Sequence, residues 1–128
     1  MATISELVKN FDLFSPILSG GQVFQHLSGR PVVFQRVGDV TDKDLDVLLI
    51  RVDELRKLLT DTATIFVFAG YEYRSDSKLP FLAVYSYVPV QVQGASEVRA
   101  LGGYNYVYYF SHDSHREYAL MHIARLRG

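Results

Sequence analysis

The chain of 128 residues has no cysteine and no tryptophan. Without thiols it can form no disulfide, no thiolate metal site and no cysteine nucleophile, a composition that fits a reducing compartment. Excess charge is missing too: 13 Lys and Arg stand against 14 Asp and Glu, for a net charge of -1. Such a balance supplies no field to gather nucleic acid or an anionic lipid surface, so neither is expected as a partner. Hydrophobic residues make up 48% and mean hydropathy is +0.06. Charges nevertheless interrupt every apolar stretch short of the ~20 residues that a membrane span needs. Glu6, Lys9 and Asp12 break up the segment from Met1 to Phe14, which argues against a secretory leader and for a cytoplasmic protein. Phosphate-binding signatures are absent: there is no G-x-x-x-x-G-K-[ST] and no G-x-G-x-x-G, and the pairs Gly20-Gly21 and Gly102-Gly103 read as chain reversals. Asp39, Asp42, Asp44 and Asp46 lack the glycine and distal glutamate of a calcium loop, and suit the start of a helix instead. No cofactor is expected.

What remains is a length that supports one core, with apolar residues spaced as in an α+β fold. Ile4, Leu7, Val8, Phe11 and Phe14 recur at helical spacing, ending before Pro16. Gln22 to Leu27 and Pro31 to Val37 read as a hairpin turning at Ser28-Gly29-Arg30. Thr41 with Asp44 resembles a capping box, and Leu45, Leu48, Val52, Leu55 and Leu59 then form one stripe of a long helix over about 42–59. An alternative takes Val47 to Ile50 as a strand feeding a shorter helix capped by Asp53. Ala63 to Arg74 and Leu79 to Val92 read as a second hairpin around Ser75 to Lys78, with Pro89 at an edge or bulge. Ala95 to Leu101 reads as a helical turn ended by Gly102-Gly103, Tyr104 to Phe110 as a strand, and Ser114 to Arg127 as a terminal helix. The expectation is therefore a single layered α+β domain over residues 1–128, with an about five-stranded mixed sheet and the long and terminal helices packed on it.

All nine tyrosines fall between Tyr71 and Tyr118. Tyr71 and Tyr73, Tyr85 and Tyr87, and Tyr104, Tyr106 and Tyr108 each sit two apart, so each set projects from one face of its strand. Merged across neighbouring strands they would make a phenol-rich surface, of a residue type enriched at protein interfaces. The other possibility is that helices cover that face and the hydroxyls reach water at its margin. The remaining polar cluster is His112-Asp113-Ser114-His115, with Glu117 and His122 nearby. His112 and His115 could ligate a metal from the first turn of a helix, or could simply be solvated residues of a helix cap.

The text Leu-Arg-Lys-Leu-Leu-Thr-Asp from Leu55, then Ile-Phe-Val-Phe-Ala-Gly-Tyr-Glu-Tyr-Arg-Ser-Asp-Ser-Lys, then Phe-Leu-Ala-Val-Tyr-Ser-Tyr-Val-Pro ending at Pro89, resembles the centre of the actin-depolymerising-factor homology (cofilin-like) domain. The resemblance implies a mixed-sheet α+β fold and an actin-contacting helix after Pro89, a stretch in which Val90 to Gly103 carries Arg99 as its one basic residue. The leading expectation is a non-enzymatic protein-binding domain of the small inhibitor, immunity or adaptor type, monomeric or homodimeric, that uses the Tyr-rich face. An actin-regulatory cofilin-like domain and a small metal-dependent or His-based enzyme are the alternatives.

Overall fold

In the computed structural model, which describes residues 22–25, 31–57 and 63–124, strand formation begins with a hairpin. β1 (Gln22–Gln25) pairs antiparallel with β2 (Pro31–Val40). Helix α1 (Asp42–Arg56) then carries the chain over the sheet to β3 (Ile65–Arg74), which lies parallel to β2. A parallel pair needs such a crossover. β3 turns at Ser75-Asp76 into β4 (Ser77–Tyr85), with Arg74 opposite Ser77 and Ser75 at φ 46°. After an irregular stretch come β5 (Glu97–Gly102), β6 (Asn105–Tyr109) and helix α2 (Asp113–Ala124). The sheet is mixed, in the order β1-β2-β3-β4-β6-β5. The α+β class with helices packed on one mixed sheet is as the sequence implies.

Four expectations change. The helix does not run to Leu59: α1 stops at Arg56, with Lys57 closing the last turn through its N–H to the Asp53 and Leu55 carbonyls, and Leu59 lies outside the described residues. It is continuous through Val47 to Ile50, so the strand alternative fails. The stretch read as a helical turn around Ala95 to Leu101 instead forms β5 against β6, which brings the mixed sheet to six strands. Here Gly102 and Gly103, at φ 108° and 58°, close a hairpin instead of ending a helix. β4 ends at Tyr85, and the chain from Ser86 to Ser96 has no regular structure, so Tyr87 and Pro89 are not strand residues. The helix expected through Phe14 lies outside the described residues.

The capping box at Thr41 forms as read: the Asp44 N–H donates to Thr41 Oγ1 at 3.3 Å and the Thr41 N–H to Asp44 Oδ2 at 2.9 Å. Leu45, Leu48, Val52 and Leu55 are fully buried, and pack on Phe66, Phe68, Phe81, Ala83, Tyr85 and Tyr109. On the opposite face Ile65, Val67, Ala69, Leu82 and Val84 meet Ala119 and Ile123 of α2, with Val90, Val92 and Ala95 of the irregular stretch beside them. The central strands β3 and β4 are buried on both sides, which is why their sequences read as near-continuous apolar runs.

A break in the β2–β3 ladder fixes where α2 sits. Arg36 pairs with Ala69 but Asp39 with Tyr71, so Val37 and Gly38 bulge opposite Gly70. Only glycine fits there, since a Cβ at Gly70 would lie 2.8 Å from Val37 Cγ2 and 3.1 Å from the Gly38 oxygen. The Gly70 carbonyl accepts a 2.5 Å hydrogen bond from Arg116 Nη1 of α2. Next to it, Arg36 of β2 grips Glu117 with two hydrogen bonds of 2.9 and 2.5 Å.

Candidate functional site

The tyrosines do not merge into one surface. Tyr85 points under α1, is fully buried, and donates its hydroxyl to the Leu45 carbonyl at 3.5 Å; burial pushes that hydroxyl well above its ordinary pKa. Tyr108 is buried on the α2 face, where burial also raises its hydroxyl, and half-buried Tyr106 lies tilted on it at 5.9 Å. Half-buried Tyr71 sits beneath the Arg116 guanidinium at 4.9 Å. Tyr73 is exposed, and its hydroxyl donates to Asp39 at 3.0 Å. Lys78 adds a 3.2 Å bond to the same carboxylate and, with Tyr73, holds Asp39 below its usual range. Residues two apart share a face only while the strand lasts. β4 ends before Tyr87, and Tyr104 occupies the β5–β6 turn, so both leave the ladder.

Tyr87 and Tyr104 nonetheless come together. Each is 45% exposed, and they flank a cleft of about 350 Å³ between the C-terminal half of α1 and the β5–β6 turn. Leu49, Asp53, Arg56, Ser86, Leu101 and Asn105 line it. Arg56 is its fixed point, a buried guanidinium that donates to the Asp53 carboxylate and to Asn105 Oδ1 at 3.2 Å. The Tyr87 ring stacks on that guanidinium, 4.1 Å from centroid to Cζ. Asn105 Oδ1 also accepts from the Ser86 N–H at 3.0 Å, which ties the exit of β4 to the start of β6. One wall is therefore rigid, and two large rings with polar tips stand at the rim.

A second cleft, of about 550 Å³, opens at the other end of α1 and was not anticipated from the sequence. Buried Glu72 accepts from the Tyr109 hydroxyl at 2.7 Å and from Arg74 Nε at 2.9 Å. Arg74 lies 4.2 Å over the Tyr109 ring and reaches Glu97 through bonds of 3.1 and 2.8 Å, holding that carboxyl below its usual range. Arg99 closes the row on Asp46 of α1 at 2.7 Å. A signal for this network exists in the text, because Glu72 with Arg74 and Glu97 with Arg99 each put opposite charges two apart on one strand face.

His112 and His115 are exposed and lie edge to face, with ring centroids 5.1 Å apart. The His112 carbonyl starts α2 by accepting from the N–H groups of His115 and Arg116 at 3.2 and 3.3 Å. His122 meets the Tyr118 ring edge to face, with centroids 4.4 Å apart, instead of joining them. Among the described residues no group of three or more His, Asp or Glu side chains converges to hold a metal ion, and no helix is long and apolar enough to cross a membrane.

Comparison with known protein families, with curated proteins and with solved structures yields no match. The site therefore stands on its own geometry.

Proposed function

We propose that this chain is a non-enzymatic protein-binding domain, of the inhibitor, immunity or adaptor type, whose contact surface is the cleft flanked by Tyr87 and Tyr104. The observation that carries this reading is the placement of two half-exposed rings over a braced wall of Arg56, Asp53 and Asn105. Rigid aromatic anchors with polar tips lose little conformational freedom on binding and tolerate water at the rim. The seven-tyrosine face is thereby narrowed to two anchors. Against the actin-regulatory alternative, the stretch after Pro89, where the resemblance calls for a contact helix, is irregular as far as Ser96 and a strand from Glu97.

The test uses the intact protein as bait in native extract beside a Tyr87→Ala, Tyr104→Ala double variant. A specific partner held by the parent chain should lose roughly 1 kcal/mol or more of affinity per anchor, while the urea midpoint of the variant stays near that of the parent. Equal retention by both proteins would reject the cleft as the contact surface.

A further inference from the structure

The sheet ends on β5, which has β6 as its one ladder neighbour among the described residues. Natural proteins blunt such an edge with lysine, proline or a covering element. From Glu97 to Gly102 there is neither lysine nor proline, and Val98, a strand-favouring residue, is 52% exposed. The two faces of β5 differ sharply. Glu97 and Arg99 lie on the α1 face, engaged with Arg74 and Asp46, whereas Val98 and Ala100 point to the other.

We infer that β5 pairs antiparallel with β5 of a second copy of this chain, about a two-fold axis at Val98, and so extends the sheet across a homodimer. The register follows from charge. With Val98 opposite Val98 of the other copy, each Glu97 faces the other copy's Arg99, and directly opposed side chains in an antiparallel pair lie about 5 Å apart at Cβ. Each side then carries an alternating row: Asp46 and Arg99 of one copy, followed by Glu97 and Arg74 of the other. Sliding the pairing two residues either way sets Arg99 against Arg99 or Glu97 against Glu97. A slip of one residue puts Glu97 against Ala100 and Val98 against Arg99, mixing the charged face with the apolar one. The axis at Val98 satisfies both faces together: it matches four charges on the α1 side and covers two exposed valines on the other. The contact is isologous, as a closed dimer requires.

Because the chain has no cysteine, a single introduced thiol reports this geometry without background. Sedimentation velocity over a concentration series should show a monomer–dimer equilibrium for the parent chain. V98K sets two ammonium groups face to face on the axis and should weaken dimerisation by about tenfold or more, with an unchanged urea midpoint at protein concentrations low enough that both chains are monomeric, where the side chain is exposed. V98C should form a disulfide-linked dimer under mild oxidation, and A100C, whose counterpart in this register is Ser96, should not. A parent chain that stays monomeric throughout the series overturns the inference. So does a dimer that V98K leaves intact, or one in which A100C cross-links in preference to V98C.

Discussion

The two helices are attached to the sheet by different kinds of force. α1 presents four fully buried aliphatic side chains, Leu45, Leu48, Val52 and Leu55, to a floor of phenylalanine and tyrosine rings. α2 buries Ala119 and Ile123, and takes the rest of its position from Arg116 on the Gly70 carbonyl and Glu117 on Arg36. The first joint is broad and mainly apolar, with polar ties from Asp46 and Arg56 at its margins. The second is polar, directional and dependent on one irregularity in the β2–β3 ladder. Burial of area holds an element down, but a few charge-assisted hydrogen bonds decide where it lands.

The sharpest way to break this comparison is at the α1 joint. Leu48→Ala should cost about 2 to 5 kcal/mol in urea denaturation, through lost transfer energy and the cavity left behind. A loss below about 1 kcal/mol, the range of ordinary surface changes, would mean that α1 is not held by its stripe. At the α2 joint, Arg116→Met keeps the stem but leaves the Gly70 carbonyl without its donor, a loss of about 1 to 3 kcal/mol. Hydrogen exchange should place that loss in α2 and around Gly70, with α1 amides protected as before.

The smallest effect sharpens the contrast through pH. Arg36, and secondarily Arg116, hold the Glu117 carboxyl below its usual range, so the folded pKa lies under the unfolded one. The ion pair therefore stabilises fully above the unfolded value of about 4.3, and its contribution is lost as the pH falls through the folded pKa. Both partners are substantially exposed, so the effect is below about 1 kcal/mol. Glu117→Gln should remove this part of the acid sensitivity, measured as the difference in urea midpoint between pH 7 and pH 3.

How much of this was legible follows the same division. The α1 stripe, the Thr41 capping box and the β3–β4 hairpin could all be read, because each depends on residues close in sequence. The end of β4 could not, since nothing between Tyr85 and Tyr87 marks it locally. β5 was misread because Gly102-Gly103 ends a helix and turns a hairpin equally well, although the alternation Glu97, Val98, Arg99, Ala100 already had the period of a strand. The Tyr87 and Tyr104 cleft had no sequence signal, and the Glu72 network showed only as two separate charge pairs, for one reason. Their members come from α1, β3, the end of β4 and the β5–β6 hairpin, and only the completed sheet brings these together.

The topology also sets an order of assembly. β1 with β2, β3 with β4, and β5 with β6 are joined by short connections, so each pair can close early at small entropic cost. Two seams are long-range: β2 beside β3, which requires α1 to form and cross, and β4 beside β6, which encloses the whole of Ser86 to Tyr104. Until both seams have zipped, the hairpins carry open apolar faces, and most of the loop-closure entropy falls on these two joins. Gly70 sits on the first of those seams, so the join of β2 to β3 also positions the carbonyl to which Arg116 of α2 donates.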